Sequence, residues 1–140
     1  MKKANSRREF HLENSPMAVV ERDKEFRVVQ WSPMAEQIFG WTAAEAIGKY
    51  WHQWSIVYQE DFEEVCAVTN QLLDSRETRN VCRNRNYTKD GSIIYCEWYN
   101  SALIDESGTV VSILSFARDI TEFHRAQEEL HRREQAFSAI

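Results

Sequence analysis

Apolar and β-branched residues come in short runs along this chain, and the spacing within those runs changes from two to between three and four and back again. Met17 to Arg22 and Phe26 to Trp31 read as strands on either side of Asp23-Lys24-Glu25, which predicts a hairpin. Ser32 followed by Pro33 marks a helix start, and the short helix Pro33 to Phe39 is expected to stop at Gly40. Thr42 is placed to cap a second short helix, Ala43 to Ile47, ending at Gly48, with Glu45 at the capping-box position. Tyr50 to Tyr58 is aromatic-rich and has no clean period. From Asp61 onward, Phe62, Val65, Val68/Thr69 and Leu72 fall on one face of a longer helix. Arg79 to Tyr87, Ser92 to Ile104 and Thr109 to Arg118 then read as three strands joined by Thr88-Lys89-Asp90-Gly91 and Asp105-Glu106-Ser107-Gly108. Residues 1–14 are polar and are expected to form an arm or short helix. The order β-β-α-α-α-β-β-β-α predicts an α+β fold, with one antiparallel sheet and helices over one face.

Alternation along the late strands says which side chains meet those helices. Arg79, Arg83 and Arg85 share one parity and should face water, which turns Cys82, Asn84 and Asn86 inward. In the next strand Ile94, Cys96, Trp98, Asn100 and Ala102 lie on the face opposite Glu97. Several amides thus fall on a core face, where each needs a hydrogen-bond partner. A polar ligand, trapped water or local turn bonds would supply one.

Composition narrows the function classes. At 140 residues, 43% hydrophobic and 28% charged, the chain suits one soluble domain. Its net charge of −5 makes no electrostatic case for nucleic acid or an anionic membrane. No apolar run approaches the roughly 20 residues of a membrane span, and the first residues lack the apolar core of a signal peptide. Cys66, Cys82 and Cys96 are far apart and form no CxxC pair, which argues for reduced thiols in a cytoplasmic protein and against a metal site. The four histidines, His11, His52, His124 and His131, are scattered. There is no phosphate loop, no nucleophile–base pair and no HExxH, so no enzymatic activity is expected of this segment.

Five motifs in order carry a resemblance to the PAS family of sensory domains. Val29-Gln30-Trp31-Ser32-Pro33-Met34-Ala35-Glu36-Gln37-Ile38-Phe39-Gly40-Trp41 resembles the family's asparagine-proline-alanine…phenylalanine-glycine-tyrosine stretch, with Ser32 where asparagine is usual. Glu45-Ala46-Ile47-Gly48-Lys49 looks like its next helix, Lys89-Asp90-Gly91-Ser92 and Asp105-Glu106-Ser107-Gly108 like its late turns, and Arg118-Asp119-Ile120-Thr121-Glu122 like its C-terminal signature. The resemblance covers Phe10 to Leu130. It implies a five-stranded antiparallel sheet enclosing a small ligand pocket, with a regulatory rather than catalytic role. The domain is placed at 15–119, with a C-terminal signalling helix from 120 to 140.

What such a pocket would hold is tested residue by residue. Photoactive flavin relatives carry Asn-Cys-Arg-Phe-Leu-Gln where this chain has Tyr50-Trp51-His52-Gln53-Trp54-Ser55, so Trp51 stands at their reactive cysteine and cysteinyl-flavin chemistry is excluded. Asn86-Tyr87-Thr88-Lys89 matches those relatives, but Cys96 and Ala117 replace two of their flavin-contacting side chains. Asp61 to Asp74 holds no histidine, which disfavours histidine-ligated haem. A non-covalent flavin, a small metabolite or no ligand stay open. The pocket candidates are Trp51, Trp54, Asn84, Asn86, Cys96 and Trp98. A redox role for Cys82 or Cys96 would need an exposed thiol of low pKa, against their inward parity.

After Thr121, expected to cap the last helix with its hydroxyl, Phe123, Ala126, Leu130, Arg133, Phe137 and Ile140 recur at spacings of three and four. This is a heptad seam broken once by Arg133, and it predicts a homodimer through a parallel coil. The alternative is a helix lying back on its own domain. Arg7-Arg8-Glu9 before Phe10 is echoed by Arg132-Arg133-Glu134 before Phe137, which suggests a further domain after Ile140. The expected whole is a sensor histidine kinase or a diguanylate cyclase, whose effector receives its signal through Asp119 and Thr121. A ligand-free interaction and dimerisation spacer is the competing reading.

Overall fold

The computed structural model describes residues 15–50, 54, 56–74 and 77–138. The arm at 1–14, Trp51 and Ile140 lie outside the described residues.

Strand β1 (Ala18–Asp23) and strand β2 (Val28–Trp31) form the first hairpin. The turn is longer than the sequence pattern predicts, because Phe26 sits at φ 69° and so belongs to the turn rather than to β2. Asp23 holds that turn by accepting from the amides of Glu25 and Arg27. Helix α1 (Pro33–Phe39) starts where expected: the Ser32 hydroxyl accepts from the Ala35 amide, and Gly40 ends the helix at φ 82°. The same hydroxyl also accepts from Val19 N at 2.8 Å, fastening the helix start to β1. Helix α2 (Ala43–Ala46) carries the full Thr42–Glu45 capping box.

A 3-10 turn (Gln59–Asp61) leads into helix α3 (Phe62–Leu73). Asp61 precedes the helix but makes no capping bond. Its carboxylate instead grips Arg85, accepting from its backbone N–H and from its guanidinium at 2.7 Å each. Only Thr69 and Leu72 of the expected apolar face are buried, and Phe62 is exposed at 37% because it borders a surface cavity rather than the core. Strands β3 (Arg79–Tyr87), β4 (Ile93–Ile104) and β5 (Val110–Asp119) complete one antiparallel sheet of order β2-β1-β5-β4-β3, and helix α4 (Thr121–Ser138) follows. The α+β architecture read from the sequence is thus the observed one.

The core fills the space between the sheet and the helical segment with large rings. Phe39, fully buried, stacks on Trp98 at 5.6 Å and 17°, and Trp31 lies 5.5 Å from Phe39 and 5.2 Å from Trp54. Offset and tilted aromatic contacts of this kind add stability beyond the area they remove from water.

Candidate functional site

The inward parity read for β3 and β4 is observed: Cys82, Asn84, Asn86, Cys96, Trp98 and Asn100 are all buried. Their amides are bonded to one another and to backbone. Asn86, with no exposed surface, accepts from Trp98 Nε1 at 3.0 Å and from Asn84 Nδ2 at 3.1 Å, and donates to the Ile56 carbonyl at 3.1 Å. That last bond ties the aromatic connection to β3, where Tyr87 N also donates to Ile56 O. A second polar row crosses the sheet. Arg22 on β1 donates to Ser115 on β5, Ser115 to Asn100 on β4, Asn100 to Asn80 on β3, and Asn80 to the Val68 carbonyl of α3. Register makes this row, since Asn80, Asn100 and Ser115 stand directly opposite one another. Burial lowers the Arg22 guanidinium to about 10, so it stays charged at neutral pH.

The space left between these groups is a cavity of about 20 Å³ lined by Arg22, Thr69, Cys82, Asn84, Trp98 and Asn100 among others. A single water needs roughly 10–15 Å³, whereas small-molecule pockets run to roughly 300–1,000 Å³. Among the candidate residues, Asn84, Asn86, Cys96 and Trp98 do come together on one face, and Trp54 joins the same core cluster. The ring stacked on Trp98 is Phe39, a residue the pocket reading passed over because it closes a helix of its own. Burial pushes both Cys82 and Cys96 upward, away from the thiolate form that redox chemistry uses.

At the other end of the sheet, β5 passes into α4 through a tight latch. Asp119 accepts from Thr121 N at 2.9 Å and from the Thr121 hydroxyl. The Thr121 oxygen in turn accepts from Tyr95 N at 3.0 Å, and Ile120 N donates to Tyr95 O at 2.8 Å. This corrects the capping expectation. Thr121 is already the first residue of the helix, so its hydroxyl faces β4 and the carboxylate of Asp119 takes the free amide. His124 completes the root, stacked on Tyr95 at 3.7 Å. Phe123, at the root, is 53% exposed, and further along α4 Leu130 and Phe137 are exposed at 59% and 81% and Ala126 is also exposed. A helix lying back on the domain is not what is observed.

The opposite sheet face carries a charge cluster that alternation alone did not flag. Glu97 is covered by its neighbours: it accepts from the Tyr99 hydroxyl, from Arg83 Nε at 2.7 Å and from Arg118 Nε at 2.9 Å. The Tyr99 bond foremost, with Arg83 and Arg118, lowers its carboxyl from the ordinary 4.5 to about 2. A carboxyl lowered in the folded state stabilises the fold above its unfolded value and stops doing so as pH falls through the folded value. Acid unfolding of the wild-type chain should therefore steepen between pH 4.5 and about 2. Glu97→Gln should flatten that region in a pH series of urea midpoints; equal slopes would assign the acid sensitivity to other carboxylates.

Among the described residues, no helix is long and apolar enough to cross a membrane, and no cluster of three or more His, Cys, Asp or Glu is placed to hold a metal. The model of the PAS fold family matches residues 12–125. The bacterioopsin transcriptional activator of Halobacterium salinarum is 25% identical over 136 residues, which is 95% of this chain and 20% of that protein. This chain therefore spans about a fifth of the length of the curated relative. The PAS domain of a protein from Colwellia psychrerythraea superposes with a TM-score of 0.77 at 21% identity, covering 85% of this chain and 98% of that one. A sensory box histidine kinase/response regulator from Burkholderia thailandensis gives a TM-score of 0.75 at 16% identity over 96% and 99% of the two chains. Likeness at these identities shows the fold, and the family match over most of the chain shows descent. The chain belongs to the PAS-fold family.

Proposed function

We propose that this domain is a sensory relay and dimerisation module that regulates an effector in the same polypeptide through α4. The observation that carries this reading is the form of α4: pinned at its root by Asp119 and Thr121, then free of the domain with its apolar seam uncovered. An exposed row of Phe123, Ala126, Leu130 and Phe137 is stable in water only against a partner, and a second copy offers a matching row. Isolated helices of this length are marginal, so packing must supply the order. A change in the sheet that moves β5 would alter the angle at which both helices leave, which is the kind of two-state element a signal must bias. The effector is a histidine kinase or a diguanylate cyclase, the first supported by the kinase neighbour, and the setting is cytoplasmic.

The interior favours the version of this reading in which the sheet face itself binds no metabolite. Its amides are satisfied within the protein, and its cavity has room for about one water. Sedimentation equilibrium of the chain tests the dimer. The wild type should associate, and Leu130→Glu, exposed in the protomer and so harmless to its fold, should sediment as a monomer. A wild-type chain that stays monomeric over the whole concentration range, or an L130E variant that still dimerises, would count against the seam.

A further inference from the structure

We infer that the edge of β3 from Arg79 to Arg83 takes up an extended peptide segment as an added antiparallel strand, with acidic residues on either side of an apolar one. The sheet ends in β2 on one side and β3 on the other. An uncovered edge is a row of unmet backbone donors and acceptors, ready to pair with another chain. The β2 edge is met at Val28, whose amide donates to Lys49 O and whose carbonyl accepts from Gly48 N. The β3 edge is met over its last residues. Tyr58 N donates to Arg85 O, Tyr87 N donates to Ile56 O, and Val57 bridges to Asn86. Arg85 N donates to Asp61 Oδ2 at 2.7 Å. These bonds fix which way the backbone points: the odd-numbered residues turn their N–H and C=O away from β4, as alternate residues of an antiparallel pair do. Arg79, Val81 and Arg83 follow the same alternation, and no described residue bonds Val81 or Arg83 on that side. Residues 56–58 thus already lie along this edge, and the line they start is open from Arg83 back to Arg79.

Side chains specify what the added strand carries. In strand addition the main-chain bonds give affinity, and alternate side chains select the partner. Arg79, Val81 and Arg83 share the outer sheet face and are all exposed, Val81 at 58%. Arg83 and Arg118 share one carboxylate, that of Glu97, and Arg79 makes no ion pair among the described residues. The face beside the open edge therefore carries a surplus of positive charge. Residues directly opposite one another in an antiparallel pair bring their side chains within about 5.5 Å on the same face. Acidic residues opposite Arg79 and Arg83, with an apolar one opposite Val81, complement this edge in charge and character. A second copy fits it less well. Two β3 edges centred on Val81 set Arg79 against Arg83 on both sides, and like charges directly opposite are destabilising.

This edge is independent of the α4 seam, and its test is separate from the sedimentation experiment. The probe is a capped peptide, acetyl-Ser-Glu-Thr-Val-Thr-Glu-Ser-amide, titrated into the 140-residue chain and followed by backbone amide resonances. The amides of Val81 and Arg83 should shift and become protected from exchange, while the Arg85 amide, held by Asp61, should keep its exchange rate. Methylating the amide of the peptide's valine removes a donor aimed at the Val81 carbonyl, and should weaken binding about tenfold. Methylating a threonine amide, which points away from β3, should leave the affinity unchanged. Lysine in place of both glutamates should also weaken binding about tenfold, and Arg79→Glu should narrow the gap between the two peptides. Binding of neither peptide, equal binding of both, or an affinity that valine methylation does not alter would each overturn the assignment. Protection of the Val81 and Arg83 amides that rises with the concentration of the chain alone would make a second copy the occupant, and would overturn it as well. If R79E does not fold, the peptide series on the wild type still decides.

Discussion

Replacing Asn86 with alanine is expected to lower the stability of this domain by about 3 kcal/mol, enough to reduce Tm by roughly 10 °C. Asn86 has no exposed surface, and three groups depend on its amide: the Trp98 indole N–H, the Asn84 amide and the Ile56 carbonyl. Water does not reach that position, so the Trp98 indole N–H loses this acceptor at about 1–3 kcal/mol, and two further bonds go with it, although the Ile56 carbonyl keeps Tyr87 N and the Asn84 amide keeps the Arg85 carbonyl. Part of this cost is recovered because the polar amide itself need no longer be buried, which is why the expected loss falls short of the sum. The effect should spread beyond β3. The Ile56 bond tethers the aromatic connection, so amide exchange near Ile56 and Val57 should speed up more than exchange in β1. A loss below about 1 kcal/mol in urea unfolding would mean that Asn86 is not the centre of this network.

Asp119→Ala is expected to act in the opposite sense: a small loss of fold stability and a large loss of signal transfer. The carboxylate is exposed and, among the described residues, hydrogen-bonds Thr121 alone, through its amide and its hydroxyl, so its removal should cost about 1 kcal/mol, as loss of a helix-capping group does. The Thr121–Tyr95 bond remains but loses the group that orients the Thr121 hydroxyl. The root of α4 then has more than one way to leave β5. In the full-length protein, output should stop following the input while the isolated domain still melts cooperatively near the wild-type temperature. A full-length D119A protein that responds normally to its signal would falsify the latch.

These two residues were read from the sequence with different success. Asp119 and Thr121 stand where β5 passes into α4, as the contiguous signature that contains them leads one to expect. Their bonding does not follow from it, since the partner that turns the Thr121 hydroxyl away from its own helix is Tyr95, 26 positions away. Asn84 and Asn86 were assigned to the core face by alternation alone. Alternation says which way a side chain points, not what it meets there, and so a ligand seemed one answer to the buried amides. Protein groups also bond these inward amides: Trp98, Asn80, Ser115 and backbone carbonyls. Phe39 was identified only as the end of α1, although it is the ring against Trp98. Glu97 was known to point away from the core, yet its cover of Tyr99, Arg83 and Arg118 depends on three strands lying in register.

What the sequence by itself determined is therefore what short-range physics sets. Helix starts at Ser32 and Thr42, stops at Gly40, the parity of β3 and β4, and the seam on α4 each follow from residues within a few positions of one another. Tertiary structure alone decided which protein groups bond the inward amides and how little space remains between them. The reason is that hydrogen-bond partners and cavity volumes depend on which strands are neighbours and in what register. Here the order β2-β1-β5-β4-β3 brings together residues up to 93 positions apart, as in the bond from Arg22 to Ser115.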